Sequence, residues 1–472
     1  MIDARAPFPP RWIFISLGIG VYAALVAAAP SPATAAVLAA PLALAAVAWW
    51  TLAKPHRWTA LFIASAILLP PLPISLGDSG PHPSLLFAAL GMFAGVLYLR
   101  DWRITAGPLE RALVCLFSIL LASAGLAALY SGAELAIQTL ARVLLFGIGV
   151  YLFFFTAYVR SDGAAPFIRP LFYAAMLSAA IACVDFYYQL PAPAGFGPQF
   201  VWLDTGTYYR RAQGIFYEAS TLGNFCAFFL VMIAVAFTRP HKQTFVPRSA
   251  LLAGGLLLSA ALLFSYSRSS IINLLVALAA LACIDRGRIP WRRAVPLLGF
   301  SVAAGAAASF YFLPQLVETA WMRLSGSVVY FFDYGEAIFS GRFESWRLLV
   351  QFLTDHPWHA IFGIGYKTLP YSDYIGQTVI GDNMYLSMLI ETGIIGLAAL
   401  LWLHVAVLRT SWRAARSASP TASFLGTWVF CFWAGQILQM FSADLLTYWR
   451  VLPVYFLVLA WAVRATGQAP AR

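Results

Sequence analysis

Charge is scarce in this chain. Asp, Glu, Lys and Arg make up 10% of its 472 residues, against 61% hydrophobic and 15% aromatic residues. A soluble globular domain carries roughly a quarter of its residues charged, so that class is excluded. Cysteine offers no chemistry either. The five cysteines (Cys115, Cys183, Cys226, Cys283 and Cys431) all fall inside apolar runs, with no CxxC spacing. They read as small buried hydrophobes, neither a disulfide framework nor a thiolate metal site. The GxxxxGK phosphate loop, the GxSxG elbow, the HExxH zinc motif and the Gly-rich dinucleotide turn are all missing. No cofactor and no ATP use are therefore expected. His356 and His359 lie three residues apart beside Asp355, but Pro357 interrupts the helix that such a ligand pair would need, and no metal is expected. Nothing resembles a nucleic-acid-binding module despite the net charge of +11. Basic loops facing anionic lipid headgroups account for that charge.

Long hydrophobic runs are abundant instead. A helix needs about 20 apolar residues to cross a ~30 Å hydrocarbon core. Spans of that kind begin near Trp12, Thr34, Thr59, Ser84, Ala112, Thr139, Pro170, Glu218, Leu251, Ser270, Ala294, Met384, Phe424 and Val451. The expected fold is therefore an all-α polytopic membrane protein with about 14 transmembrane helices (12–14), read as one integral membrane domain over residues 1–472. The third span, rich in proline (Pro70, Pro71, Pro73), is the one expected to break. The first, preceded by Arg5 and Arg11, reads as a retained membrane helix, since so many spans follow it. No internal repeat is visible.

Sorting basic residues by side sharpens this picture. With the N-terminus inside, 21 of the 30 Lys and Arg residues fall on the inner side. That bias fixes the orientation, with both termini cytoplasmic. The other nine face outward: Arg142, Arg210, Arg211, Arg268, Arg323, Arg342, Arg347, Lys367 and Arg450. Topology does not ask for them there, and they point to an anionic ligand handled on the outer side.

Two outer loops are long enough to carry structure, residues 191–217 and 314–383. Within the second, Arg342 to Leu353 places Phe343, Trp346, Val350 and Leu353 on one helical stripe. Such a stripe fits a helix lying on the membrane surface, or one packed on the rest of the loop.

The candidate site residues sit at the outer ends of spans. Arg268 lies in the polar knot Ser265-Tyr266-Ser267-Arg268-Ser269-Ser270 between two spans. An arginine near hydrocarbon costs about 2.5–3.5 kcal/mol on insertion scales and should face a partner or a wet cavity. Its planar fork suits phosphate oxygens, with snorkelling or an internal ion pair as the alternative. Arg210 and Arg211 are adjacent outward arginines that suit phosphate or an ion pair with Asp204 or Glu218. Arg342 and Arg347 suit phosphate or simply the polar face of a surface helix. Asp382, just before the twelfth span, could take a proton from a sugar hydroxyl or cap the helix starting at Met384. Glu218 carries the same ambiguity at the eighth span. Glu391, followed by Gly393 and Gly396, reads as a buried carboxylate that supports the site by neutralising an arginine, its glycines allowing close packing.

These stretches resemble the O-antigen ligase/polymerase superfamily of bacterial inner-membrane glycosyltransferases. The matching residues are Arg211, Gly214-Ile215-Phe216, Glu218, Ser267-Arg268-Ser269, Arg342, Trp346, His356-Pro357 and Gly363-Ile364-Gly365. They continue through Asp382-Asn383-Met384-Tyr385-Leu386 and Glu391-Thr392-Gly393-Ile394-Ile395-Gly396. The resemblance covers roughly the second half of the chain. It implies a GT-C-like helical fold with a periplasmic loop capping a cavity, and an undecaprenyl-pyrophosphate-linked glycan as donor. It further implies metal-independent, inverting transfer to a hydroxyl, membrane lipids as surroundings and a chain-length regulator as a partner. Arg211 and Arg268 inherit the pyrophosphate-binding role, with Arg210, Arg342 and Arg347 beside them. Asp382 and Glu218 become candidate bases, and Tyr385 joins Glu391 as support. Ligases of the family carry His where this chain has Asp382, which favours a polymerase of O-antigen, capsule or exopolysaccharide over a ligase acting on lipid A core. A lipid-linked oligosaccharide flippase is the rival of another class. It would distribute arginines through the bilayer, repeat its halves and keep its loops short.

Overall fold

The computed structural model describes residues 10–29, 31–72, 81–159, 165–192, 196–202, 208–240, 244–287 and 342–467. Ten helices precede residue 288: α1 (Pro10–Ala27), α2 (Pro32–Leu52), α3 (Pro55–Leu68), α4 (Ser84–Leu97), α5 (Pro108–Ser131), α6 (Ala133–Tyr158), α7 (Ala165–Tyr188), α8 (Ala219–Phe237), α9 (Arg248–Phe264) and α10 (Arg268–Ile284). Five follow residue 341: α11 (Arg342–Asp355), the short α12 (His359–Phe362), α13 (Met384–Ala415), α14 (Pro420–Gln439) and α15 (Leu452–Gly467). The exception to the expected all-α class is a small antiparallel ribbon, Phe200–Trp202 paired with Tyr208–Arg210.

Among the described residues, six helices are long and apolar enough to cross a membrane: α5, α6, α7 (from Phe167), α8, α13 and α14. Shorter apolar helices at the expected positions accompany them, including α4, α9, α10 and α15. The span expected from Ala294 lies outside the described residues, and so do residues 314–341 of the long loop.

Helix starts follow from local chemistry. Pro occupies the first turn of α2, α3, α5 and α14, where its missing N–H costs nothing. Ser31 and Ser419 cap α2 and α14 through their side chains. Between α5 and α6 the chain reverses at Gly132 alone, at φ +92, a backbone conformation that favours glycine.

As expected from its prolines, α3 stops after only 14 residues. Pro70 has no N–H to pair with the carbonyl of Ala66, the partner a continuing helix would supply. Arg450 takes that place. Its Nε donates to Ala66 O at 3.0 Å, Nη2 to Leu69 O at 2.8 Å, and Nη1 to Ile215 O at 2.5 Å. This buried guanidinium therefore clamps the frayed end of α3 to the turn before α8.

The core is built on α8, α14 and α15. α14 packs against α8, α10, α13 and α15, while α15 lies against α6 and α5 pairs with both α6 and α13. Phe228, Trp428, Phe432 and Tyr455 interlock where α8, α14 and α15 meet. Polar glue runs through the same layer. Asn224 and Asn273 both donate to Gln436 and Gln439, at 2.6–3.1 Å, and all four are essentially fully buried. In an apolar bundle such side-chain bonds fix helix register. At the far end of α8 and α10, Arg239 pairs with Asp285 at 3.3 Å and donates to Thr427 at 2.8 Å.

The long loop closes on the bundle through α11 and α13. Leu349, Phe352, Ile364, Leu369, Val379 and Ile390 form a second apolar cluster. The expected stripe on α11 is corrected here. Leu349 and Phe352 face the cluster, Leu353 lies at its edge, and Val350 is exposed. The helix is in the expected place, but it buries the neighbouring face.

A candidate active site at the loop end of the bundle

Two backbone devices shape this end of the molecule. The first is the turn that delivers Glu218. Asp185, near the end of α7, accepts from the N–H groups of Gln213 and Gly214 at 3.3 and 3.1 Å, and pairs with Arg210 at 3.2 Å. Gly214 sits at φ +53 with Ala182 close by, where a Cβ would be crowded. Arg210, named as a phosphate ligand, is thus engaged with Asp185 and the carbonyl of Leu190.

The second device is a break inside α13. Gly393 adopts φ 70, ψ −174 and divides the helix. The segment Gly363-Ile364-Gly365 docks against that break: Ile364 N–H donates to Ile390 O at 3.1 Å and Gly365 N–H to Glu391 O at 2.9 Å. A Cβ on Gly363 would strike the Glu391 backbone, and one on Gly393 the carbonyl of Ile361. The glycines after Glu391 were expected to allow close helix packing. Gly393 has a more specific task, holding a kink against a loop.

Between these devices opens a cavity of about 570 Å³. Its walls come from the start of α6 (Gln138 to Leu145), the start of α8, residues 366–371 and 380–382, the first turns of α13, and residues 442–449. Among the described residues, six Asp, Glu, Lys and Arg side chains line it: Arg142, Glu218, Lys367, Asp382, Glu391 and Asp444.

Asp382 and Glu218, the two candidate bases, thus share one cavity. The capping alternative for Asp382 falls to its neighbour: Asn383 caps α13, its Oδ1 accepting from the N–H groups of Tyr385 and Leu386 at 3.0 and 3.1 Å. Glu218 stands at the N-cap position of α8 without capping it through its side chain, and Oε2 accepts from the Thr221 hydroxyl at 2.5 Å. Burial raises the Glu218 pKa above the ordinary value, against the opposing pull of that hydrogen bond and of Arg211.

Lys367 is the central cation. It sits at φ +58 and forms an ion pair with Asp444. Burial pulls its pKa down, but Asp444 and Glu391 more than offset this and hold it above the usual lysine value. Glu391 therefore answers to this lysine, where an arginine was expected. Its Oε1 accepts from Leu369 N–H at 3.4 Å, and the backbone of Lys367 also supports the carboxylate. Arg142 donates to the carbonyl of Lys367 at 3.3 Å and lies 4.2 Å from the Tyr371 ring centroid.

Arg211 stands just outside these walls. Its Nε donates to Ser265 O at 2.8 Å, and the next residue's N–H donates to Phe264 O at 2.9 Å. The 211–212 strap is thereby tied to the turn that leads into Arg268, the exposed first residue of α10. Arg211 and Arg268 flank one turn, and the charge of Arg211 acts on Glu218. Arg347 is exposed on α11 beside a shallow pocket with Trp346 and Asp355, away from the main cavity. Arg342 is the first described residue of α11, and its side chain lies outside the described residues. Tyr385 turns into the bundle, donating to Ile437 O at 2.8 Å and packing on Phe441 and His404.

His359 is accounted for by packing. Its Nδ1 and Nε2 bond Gly363 O and Tyr374 Oη, and its ring stacks on Phe352. No cluster of three or more His, Cys, Asp or Glu residues able to hold a metal exists among the described residues.

Sequence reasoning missed Asp444 altogether and left Lys367 and Arg142 without a firm role. The signal was present: an outward lysine and an outward carboxylate in separate loops, each needing a counter-charge near the membrane edge.

Fold and site together define a polytopic helical membrane protein with a charged, loop-covered cavity at one end of its bundle. Residues 253–401 of the chain match the family model described as O-antigen ligase. That match supports the O-antigen ligase/polymerase superfamily and an activity of the ligase/polymerase type. The matched stretch contains Arg268, Asp382 and Glu391, and leaves Arg211 and Glu218 outside it. No curated protein matches the chain.

Proposed function

We propose that the protein is a polysaccharide polymerase. In this reading it transfers a glycan from undecaprenyl-pyrophosphate to a sugar hydroxyl of a second lipid-linked repeat unit, on the periplasmic face of the bacterial inner membrane. The observation that carries it is the pairing of Asp382, relieved of capping, with Glu218 in one cavity, beside Arg211 and the turn before Arg268.

The chemistry follows from that arrangement. The acceptor O–H approaches C1 of the donor sugar from the cavity. Its oxygen forms the new C1–O bond as the C1–O bond to pyrophosphate breaks, with the electron pair passing to the departing phosphate oxygen. The proton goes to the carboxylate of Asp382 or Glu218. Arg211 and Arg268 meet the negative charge that grows on the pyrophosphate, which gives the transition state more stabilisation than the ground state. A single displacement inverts the anomeric centre. No metal is needed, because guanidinium groups supply the positive charge, and the sugar–pyrophosphate bond supplies the driving force.

A ligase is the second reading, favoured by the description of the matching family. Reconstituting the protein with lipid-linked repeat units alone separates the two. Growth of longer glycan on the lipid carrier is the expected result. Product that forms only when lipid A core is added would transfer the assignment to the ligase. Arg268→Ala that inserts normally and keeps full turnover would remove the pyrophosphate role.

A further inference from the structure

The four buried amides of the bundle core are not equivalent. Gln436 and Gln439 both accept from Asn224 of α8 and Asn273 of α10. Gln436 reaches no further, since its Nε2 has no hydrogen-bond partner among the described residues. Gln439 uses its Nε2 as well, donating to the Ser270 hydroxyl at 3.1 Å and to that of Ser269 at 3.5 Å. Both serines belong to the first turn of α10, whose first residue is Arg268.

These serines organise the polar knot between α9 and α10. The Ser270 and Ser267 hydroxyls lie 2.8 Å apart, and Ser267 N–H donates to Ser265 Oγ at 3.3 Å. The carbonyl of the same Ser265 holds Arg211 Nε. α8 seats on this turn at Gly223, where a Cβ would come within 2.8–3.0 Å of Ser265, Ser267 and Ser270. The side chain of Gln439 is therefore bonded to the turn that Arg211 and Arg268 flank.

Its backbone faces the other half of the site. Gln439 is the last residue of α14. Its carbonyl accepts from Ser442 N–H at 2.9 Å, where the 442–449 wall of the cavity begins. The next carbonyl, of Met440, accepts from Met384 N–H at 2.9 Å, two residues beyond Asp382. Gln439 is 1% exposed, and thus joins the arginine turn to α8 and α13, the helices that follow Glu218 and Asp382. No water competes for such bonds inside a membrane bundle, so they hold their partners in place.

From this junction we propose that Gln439 is a positioning residue, which sets the turn of Arg211 and Arg268 at its working distance from the two candidate bases. It touches no substrate and acts through Arg268. The role rests on the pyrophosphate assignment within the polymerase reading. It adds a residue that lies outside both the cavity and the stretch matched by the family model. A hydrogen bond of ordinary net strength corresponds to roughly fivefold in an equilibrium constant, which sets the size of effect to expect.

The test titrates undecaprenyl pyrophosphate into the full chain in detergent micelles and counts bound lipid by native mass spectrometry. Gln439→Leu should weaken binding about fivefold. Gln436→Leu strands the same two asparagines but leaves the serines alone, and should weaken it by less than about twofold. Ser270→Ala cuts the link from its other end and leaves the amides in place. It should match Gln439→Leu, and carries the test if that variant does not insert. In a double-mutant cycle, Gln439→Leu should add nothing to Arg268→Ala. Equal weakening by the two Leu variants, or none in Ser270→Ala, would reduce Gln439 to a register contact. Losses that add to those of Arg268→Ala would overturn the route through that arginine. A wild-type protein that binds no undecaprenyl pyrophosphate would remove this role together with the pyrophosphate assignment. Binding that depends on Gln439 in a protein unable to elongate lipid-linked repeat units would keep the positioning role and sink the polymerase reading. Elongation at the wild-type rate in Gln439→Leu would do the reverse.

Discussion

Replacing Gly393 by alanine should loosen the site from a distance. Gly393 holds φ 70 and ψ −174, a region essentially reserved for glycine, and the added methyl would collide with the carbonyl of Ile361. Forcing a side chain into such a region costs about 1–3 kcal/mol. Moving the loop away from the kink also strains two cross-connections, Ile364 N–H to Ile390 O and Gly365 N–H to Glu391 O, each worth roughly 1 kcal/mol. The expected loss is therefore about 3–5 kcal/mol. Titration into SDS from mixed micelles, followed by tryptophan fluorescence, measures it. Gly255→Ala is the control. Gly255 lies within α9, and a methyl there would make only ordinary contact with Ile233 at 3.9 Å. It should match wild type or gain up to about 1 kcal/mol from helix propensity. If Gly393→Ala unfolds at the same SDS fraction as Gly255→Ala, the kink does not hold the loop, and the account of Glu391's placement fails with it.

Three other outcomes follow from the charges. Lys367→Met should destabilise the protein by about 3 kcal/mol, since it strands Asp444 and Glu391, and adding Asp444→Asn should recover part of that loss in a double-mutant cycle; additive losses would deny the coupling. Burial, aided by the charge of Arg450, lowers the His82 pKa to about 4. A depressed folded-state value means stability that is fully present above pH 6.5 and lost as pH falls through 4, so melting temperature should drop over that window in wild type and much less in His82→Gln. If Glu218 takes the proton, transfer should rise with pH around a midpoint above the ordinary glutamate value, because the base must be ionised and burial resists ionisation. Glu218→Gln showing the same acid limb in a pH–rate profile would pass the role to Asp382.

Much of the fold was legible because its signals are local. The apolar spans, the proline break of α3 and the helix over Arg342–Asp355 each depend on a few neighbouring residues. The buried face of α11 was not, since Trp346, Leu349, Val350, Phe352 and Leu353 form overlapping apolar stripes and only the partner cluster decides between them. Arg450 illustrates the same limit. As one of nine outward charges it had no assigned role, and that role is set by a carbonyl that Pro70 leaves unpaired almost four hundred residues earlier. The site divides likewise. Asp382, Glu218 and Glu391 stood out by their placement at span ends, whereas Lys367 and Asp444 each called for a counter-charge and only the fold shows that they supply it to one another.

Asn383 does the work of capping α13, so residue 382 is not the side chain that starts the helix. That separation makes position 382 exchangeable. Its side chain can change from one acid–base group to another while the helix beneath it keeps its first turn. Acceptor chemistry can then diverge between related chains by a single codon, with the scaffold left standing. The same exchange one residue later would cost the helix its cap.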